Sequence, residues 1–364
     1  MKRAAVIALL ALGLAGCGGG HKKVDAPVLP PANPQALNKM VQGVAVARES
    51  GGRARAIDLL NKALAQDPKL WEAHYNLGLL LAETGDLGGA EKHLADAALL
   101  APNTEDVAVA LGEVRRRRGD YKGAADALER FVKAFPKAVV ARVVLVSALR
   151  ESGRIDEAIK QAREVLVRRS SDPNALTELA AAHLDRGEVD TAELLIQEAL
   201  KADPDSAVAT RTAGLIALKR GDDAVAFKHF ARASELDPKE TAARLNVGTV
   251  LLEAGIYERA ATEFRGVIAV EKDNTAAAIG LAASLRGTGK RDNQAPWSES
   301  EKLLKGVLER EPKNLAATYN LAILYSDFMQ RPGDAKPLFK RFLDDAPKSH
   351  PSRPEAEKKL AGTK

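Results

Sequence analysis

Few residues of the sequence have side chains that suggest chemistry, and one of them is the only cysteine, Cys17. A lone cysteine cannot form an intramolecular disulfide, and no nearby second cysteine or histidine cluster completes a metal site. The six histidines are scattered along the chain, and the carboxylates follow the charge pattern of exposed helices. Metalloprotease, esterase and phosphate-binding-loop motifs are absent from the sequence. The sequence therefore predicts a protein that is not an enzyme, holds no metal and uses the Cys17 thiol as an attachment point.

The residues before Cys17 predict what is attached there. A short basic start is followed by an apolar run at residues 4–16, which has the length of a signal-peptide core and is too short to span a bilayer. The run ends in LAGC, residues 14–17, which resembles the lipobox of bacterial lipoproteins. The resemblance implies that residues 1–16 are a signal peptide and that Cys17 carries a covalent lipid, the only cofactor-like group expected. An ordinary signal peptide with an incidental cysteine is the alternative.

The lipid would hold the protein on a membrane, because two or three acyl chains suffice for stable anchoring. Gly18 follows the cysteine, where an Asp would retain an enteric lipoprotein in the inner membrane. The resemblance therefore implies an outer-membrane anchor with the body in the periplasm. Residues 17–36 are rich in Gly and Pro and predict a flexible tether between the lipid and the body.

The composition favours a helical body and argues against nucleic acid as a partner. Aromatic residues are only 4% of the chain and charged residues are 28%, which suits an Ala- and Leu-rich helical protein better than a β sandwich. Loss of Lys2 and Arg3 with the signal peptide lowers the formal net charge from +5 to +3. A secreted body so close to neutrality is a poor match for a polyanion.

The elements of this body repeat every 34 residues. Glycine keeps the spacing at Gly51, Gly85, Gly119, Gly153, Gly187, Gly221, Gly255 and Gly289. Alanine keeps it five residues later, at Ala56, Ala90, Ala124, Ala158, Ala192, Ala226 and Ala260. Proline marks unit ends at Pro68, Pro102, Pro136, Pro204 and Pro238. Because the glycine, alanine and proline series share one spacing, they predict a single array of repeats.

Each unit resembles a tetratricopeptide repeat, with a helix A, a tight turn, a helix B and a proline-marked exit. Residues 71–102 carry the clearest copy, although His74 stands where the family prefers Trp. The matching positions are Leu77, Gly78 and Leu81 in helix A, and Ala90, Leu94, Ala97 and Pro102 in helix B. The resemblance implies an all-α, right-handed solenoid of about nine repeats over residues 37–347, with residues 348–364 as a polar cap or tail.

The repeated small residues have direct physical roles. Gly78 and Ala90 let helix A and helix B approach closely, and Gly85 suits a left-handed helix stop. Asp86 is then placed to cap helix B, and Asp120 and Asp222 hold the same position in other repeats. The eighth unit carries a six-residue insertion and the ninth has one extra residue. In the insertion, residues 298–301 match a capping box, and Trp297 is expected to pack over that helix start.

By resemblance, partners bind helix A on the concave side of the solenoid. The fifth position of helix A holds Tyr75, Val109, Val143, Arg211, Leu245, Ile279 and Tyr319 in successive repeats, and the sixth position holds Asn76, Asn246 and Asn320. Apolar side chains interrupted by amides favour a peptide or a partner helix in the groove, with no small-molecule substrate. Packing between neighbouring repeats is the alternative for each of these residues. The cations of the carboxylate clamp of co-chaperones are missing, since Val41 and Asp106 occupy two of its places.

The densest basic cluster lies at the end of the third helix A and comprises Arg115, Arg116, Arg117 and Arg118. Cations there complement the helix dipole. Contact with an anionic lipid, a glycan or an acidic partner is the functional alternative.

These features together predict a lipid-anchored periplasmic scaffold that recruits proteins of the cell envelope. Similar lipoproteins act in secretin assembly, outer-membrane protein insertion, regulation of peptidoglycan enzymes and myxobacterial gliding motility. A motility or secretion role is the favoured expectation. An adaptor of peptidoglycan enzymes, or a pilotin-like assembly factor, is the alternative.

Overall fold

The computed structural model describes residues 29–238 and 241–362, so Cys17 and the lipobox lie outside the described residues. The described chain is helical apart from turns and one isolated bridge between Lys290 and Asn293, which confirms the all-α prediction. Within these ranges, no helix combines the length and the apolar character that crossing a bilayer requires. The chain divides into two compact units between Ala202 and Asp203.

The first unit consists of five helix pairs, each joined by a short turn. Its helices are α1 (Pro34–Ala47), α2 (Arg53–Gln66), α3 (Trp71–Thr84), α4 (Leu87–Leu100), α5 (Glu105–Arg117), α6 (Tyr121–Ala134), α7 (Val139–Glu151), α8 (Ile155–Arg168), α9 (Pro173–Asp185) and α10 (Val189–Ala202). The odd-numbered helices are the A helices of the repeats and the even-numbered ones are the B helices. Short turns make the two helices of each pair pack antiparallel, and their small and aliphatic side chains form the core.

The second unit consists of four helix pairs and a final helix. Its helices are α11 (Ala207–Arg220), α12 (Asp223–Leu236), α13 (Thr241–Glu253), α14 (Tyr257–Val270), α15 (Thr275–Thr288), α16 (Ala295–Arg310), α17 (Leu315–Ile323), α18 (Pro332–Asp345) and α19 (Arg353–Gly362). A π-helical turn, Leu324–Phe328, continues α17. Helix α19 packs against α18, at the place where the sequence predicts a polar cap or tail.

A glycine and the acidic residue after it shape the turn inside the α3–α4 pair. Gly85 has a φ of 89°, a left-handed conformation that ends α3 without the strain a side chain would cause. The Asp86 carboxylate then accepts a hydrogen bond from the Gly89 N–H at 2.9 Å and caps α4. Asp120 and Asp222 cap α6 and α12 in the same way. These predictions are confirmed, whereas Gly289 departs from the series with a φ of −66°, because the inserted segment continues through it.

The close approach of helix A to helix B depends on an exchange of side-chain size. A Cβ atom on Gly78 would lie 2.6 Å from Leu94 Cγ, and one on Gly214 would lie 2.5 Å from Phe230 Cε1. The α7–α8 pair reverses the arrangement, since Val146 stands on α7 where α3, α5, α11 and α13 have glycine, and Ala162 stands on α8 where their partner helices have Leu or Phe. These pairs therefore combine one small and one large residue at the contact between helix A and helix B.

The insertion in the eighth repeat corrects one prediction and confirms another. Helix α16 begins at Ala295, because Pro296 suits the first turn of a helix, so the capping box predicted at residues 298–301 is wrong. The Ser298 hydroxyl donates to the Gln294 carbonyl at 3.3 Å instead of capping the helix. Trp297 packs as expected: it is 4% exposed, and its indole N–H donates to the Arg286 carbonyl at 3.1 Å.

The extra residue of the ninth repeat is absorbed by the π-helical turn Leu324–Phe328. A π turn accommodates one more residue than an α turn without breaking the helix. Gln330 follows with a φ of 54° and redirects the chain into α18. The ninth pair therefore keeps its packing despite the longer helix A segment.

Candidate functional site

The first unit brings Tyr75, Val109 and Val143 to equivalent places on the contacting helices α3, α5 and α7, and we call these three residues the apolar row. All three side chains are half-buried, so each both packs on the core and keeps accessible area. Burial, followed by the charge of Asp106, raises the pKa of the Tyr75 phenol. Thr177 would continue the row, but it is buried and its hydroxyl donates to the Pro173 carbonyl at 2.7 Å.

Asn76 does not offer its amide to a peptide, as the sequence suggested. It is 5% exposed, and its Nδ2 donates to the Glu72 carbonyl at 2.7 Å. Its own helix therefore uses the donor that a partner backbone would need. Within the described part of the chain, its Oδ1 atom is buried and accepts no hydrogen bond.

The second unit carries the other predicted groove residues on α11, α13 and α15. Arg211, Leu245, Asn246 and Ile279 are half-buried. Leu245 and Ile279 also pack against the core clusters of this unit. These positions therefore combine packing with partial access.

Tyr319 is tied to the final helix and does not stand open as an anchor. Its hydroxyl donates to Glu355 of α19 at 2.6 Å, and its ring centre lies 5.1 Å from that of Phe342. Burial and this carboxylate raise the pKa of the Tyr319 phenol. Asn320 donates to the Ala316 carbonyl at 2.9 Å and accepts from Arg286 at 3.0 Å. Removal of the Tyr319 side chain should therefore lower the stability of the fold as well as any binding at this position.

Most arginines of the basic cluster form ion pairs with carboxylates of neighbouring helices. Arg115 donates to Glu91 of α4 at 2.9 Å, and Arg118 forms an ion pair with the same residue. Arg116 donates to Glu151 at the end of α7 at 2.6 Å, while Arg117 is exposed. The cluster therefore fastens repeats together.

Arg116 belongs to an ion-pair ladder that runs across α5, α7 and α9 and comprises Glu113, Arg116, Arg150, Glu151, Glu178 and Asp185. Arg116 binds Glu113 at 2.8 Å as well as Glu151, and Arg150 binds Asp185 at 2.9 Å and Glu178 at 3.6 Å. The pKa of the Glu113 carboxyl is raised overall, and burial is the largest cause. Arg116 opposes this shift, whereas the charges of Glu178 and Glu151 add to it.

The ladder leaves a signal in the sequence that single-repeat reasoning missed. Arg116 and Arg150 are 34 residues apart, and so are Glu151 and Asp185. A cation and a carboxylate that both keep the repeat spacing face each other across neighbouring A helices.

The histidines are also less scattered than the sequence suggested. His74 of α3 and His93 of α4 lie with their Nδ1 atoms 3.0 Å apart, because the antiparallel helices of one pair bring residues 19 apart into contact. The expectation that the histidines are scattered is therefore wrong for His74 and His93.

Comparison with protein families identifies the repeats. Tetratricopeptide repeat families match residues 47–112, 109–175, 143–207 and 211–277, which is more than half of the chain. No curated protein matches the sequence.

Several solved structures are similar to this chain at low sequence identity. The APC/C hetero-tetramer Cut9-Hcn1 matches with 14% identity and a TM-score of 0.62, over 89% of this chain and 62% of that chain. The human IFIT1 dimer with m7Gppp-AAAA matches with 18% identity and a TM-score of 0.50, over 81% of this chain and 78% of that chain. PilW, a type IV pilus biogenesis factor, matches with 17% identity and a TM-score of 0.48, over 60% of this chain and 100% of that chain.

The repeat spacing, the helix pairs and the family matches agree. Proteins built from such repeats are generally non-enzymatic scaffolds for protein–protein interaction. This chain belongs to the tetratricopeptide repeat family.

Proposed function

We propose that this protein is a lipid-anchored scaffold of the bacterial envelope that recruits proteins of a motility or secretion complex. The anchor would be the lipid on Cys17 in the outer membrane, and the helical body would work in the periplasm. The lipobox-like LAGC at residues 14–17 supports the anchor, and membership in an interaction-scaffold family supports the binding role.

The observation that carries the binding role is the apolar row of Tyr75, Val109 and Val143. These side chains lie on successive A helices that contact one another and remain half-buried in the free protein. The ion-pair ladder holds two of these helices, α5 and α7, together. A surface fixed in this way loses little conformational entropy when a partner peptide or helix covers it.

Fractionation of cells tests the anchor. Cys17→Ser should move the protein from the membrane pellet to a soluble or uncleaved form, and inhibition of the lipoprotein signal peptidase should accumulate a precursor. A Cys17→Ser protein that still sediments with the outer membrane would show that protein contacts hold it there and would refute the lipid anchor.

In-cell crosslinking followed by affinity purification tests the process. Motility subunits, or several different subunits of a secretion complex, among the crosslinked proteins would support the proposal. Peptidoglycan enzymes would favour the alternative, an adaptor or regulator of those enzymes, and a secretin or outer-membrane insertion machine alone would favour a pilotin-like assembly factor.

Substitutions in the apolar row test the face itself. Tyr75→Ala with Val109→Ala should lower partner recovery at least about tenfold, roughly 1.4 kcal/mol. Leu99→Ala with Val167→Ala is the matched control, because these residues are 75% and 82% exposed on the B helices α4 and α8. Equal losses from both double variants would contradict binding at the A helices.

A further inference from the structure

His74, His93 and Asp96 form a cluster inside the α3–α4 repeat that the proposed scaffold function does not use. The Nδ1 atoms of His74 and His93 are 3.0 Å apart, and Asp96 Oδ2 lies 3.7 Å from His74 Nδ1. The three potential ligand atoms all lie within 4.8 Å of one another. We propose that these side chains bind one divalent transition-metal ion, for which Zn²⁺ is the reference.

The hydrogen bond on the far side of His74 prepares its ring for a metal. His74 Nε2 lies 3.2 Å from the Pro68 carbonyl oxygen, which can only accept, so the proton of the neutral ring is assigned to Nε2. The lone pair of His74 is then on Nδ1, the atom that faces His93 and Asp96. Histidines that bind metals commonly donate their outer N–H to a carbonyl in this manner, which fixes the ring orientation.

The distances suit a small tetrahedral ion. Zn–N bonds of about 2.0–2.1 Å at tetrahedral angles place ligand atoms about 3.3 Å apart. The observed 3.0 Å and 3.7 Å lie on either side of this spacing, and the His93 and Asp96 ligand atoms lie within 4.8 Å of each other, so a movement of the Asp96 side chain toward His93 would complete the geometry. The Asp96 side chain is 41% exposed, which gives an ion access and leaves room for water as a fourth ligand.

The charges around the cluster also favour a bound cation. Burial, followed by the proximity of His74, lowers the pKa of His93. Two neutral imidazoles and one carboxylate give a donor set with one negative charge. Nitrogen and oxygen donors of this kind are the ligands that Zn²⁺ uses.

The same place in two other repeats contains a cation of the chain itself. Arg142 occupies the position of His74 in the α7–α8 pair, donates to Gln161 and reaches the Pro136 carbonyl at 3.1 Å. In the α13–α14 pair, Arg244 and Glu263 approach to 3.1 Å. The α3–α4 repeat offers two imidazoles and a carboxylate where those repeats have a guanidinium and its acceptor. A metal ion there would supply the positive charge.

Calorimetric titration of the metal-stripped full-length protein with ZnCl₂ at pH 7.5 tests the site. We expect one Zn²⁺ per chain, and His93→Gln should weaken binding at least about tenfold. Gln is the residue that the α7–α8 repeat carries at this place, so the variant keeps a hydrogen-bonding side chain and is expected to fold. His229→Ala is the matched control, because His229 holds the same helix position in α12 but faces Thr210 in place of a second histidine.

Nitrogen-15 spectra of the histidine rings give a second readout, since Zn²⁺ should shift the Nδ1 resonances of His74 and His93 and leave those of His229 unchanged. Absence of one-to-one binding by the unmodified protein would overturn the proposal. Equal affinity of the His93→Gln and unmodified proteins would also overturn it, because the ion would then sit elsewhere. The proposal is independent of the scaffold function, so loss of partner capture by itself does not bear on it.

Discussion

The exchange of large and small residues between helix A and helix B can be tested by transferring one arrangement into another repeat. In the α11–α12 pair, Gly214 faces the fully buried Phe230, whereas the α7–α8 pair has Val146 facing Ala162. Installing the second arrangement in the first requires Gly214→Val and Phe230→Ala.

Each single substitution should be costly. Phe230→Ala leaves a cavity and should lower the free energy of unfolding by about 3–5 kcal/mol. Gly214→Val places a Cβ 2.5 Å from the Phe230 ring. This overpacking should lower the free energy of unfolding by about 1–3 kcal/mol. The better helix propensity of Val compared with Gly should offset a few tenths of a kcal/mol of this loss.

Together the substitutions should compensate each other. Val contributes three carbon atoms to the space that Phe230 vacates, and at about 0.8 kcal/mol per buried carbon this restores about 2 kcal/mol. Removal of the ring also abolishes the overpacking. We expect the double variant to be about 3–5 kcal/mol more stable than the sum of the single effects predicts, because the restored burial and the abolished overpacking both contribute.

Urea unfolding of the four proteins, followed by circular dichroism, measures this coupling. Hydrogen exchange should become faster first at the amides of α11 and α12, where the stability is lost. Ala162→Phe is the converse control and should destabilise the α7–α8 pair, where Val146 leaves no space. A double variant whose effects add within about 0.5 kcal/mol would refute size exchange as the basis of A–B packing.

Three further predictions concern the charged and polar contacts. Arg116→Ala should lower the free energy of unfolding by about 2 kcal/mol, because the Arg116 side chain is 18% exposed and binds two carboxylates. Arg117 is exposed, so Arg117→Ala should change that free energy by no more than about 0.5 kcal/mol, and urea unfolding compares the two variants. Tyr319→Phe removes the hydrogen bond to Glu355 and should lower the free energy of unfolding by about 1 kcal/mol. The amides of α19 should then exchange hydrogen faster, and an unchanged exchange rate would contradict this contact. Burial, His74 and Lys92 lower the pKa of His93 below its usual 6.5 against the opposing charges of Asp96 and Asp86. Because the unfolded chain then binds this proton more readily, the metal-free protein should lose stability as the pH falls below about 6.5, and His93→Gln should abolish that part of the slope.

The repeated small residues made most of the fold predictable. Gly85 needs a left-handed φ and Asp86 caps the next helix, and both requirements act within a few residues of the chain. Gly78 and Ala90 indicated the close A–B contact, because glycine recurs at the Gly78 position in several repeats and alanine recurs at the Ala90 position. Local backbone chemistry of this kind can be derived from sequence.

Contacts between side chains on different helices were harder to predict. The pairing of His74 with His93 depends on the antiparallel packing of α3 and α4, which sets a separation of 19 residues that no single helix pattern contains. The inward amide of Asn76 reflects competition by its own helix carbonyl. The contact of Tyr319 with Glu355 depends on where a polar final helix packs, and that helix lies outside the repeat phase.

The central claim is that the A helices bind protein partners, and site-specific photocrosslinking in living cells tests it most directly. A photoreactive amino acid would replace Val41 or Val143 on the A helices α1 and α7, or Leu99 or Val167 on the B helices α4 and α8. We expect discrete crosslinked partner bands from Val41 and Val143 and none above background from Leu99 and Val167. Discrete partner bands from the B-helix positions alone would contradict the claim and move the binding surface to the opposite face of the repeats.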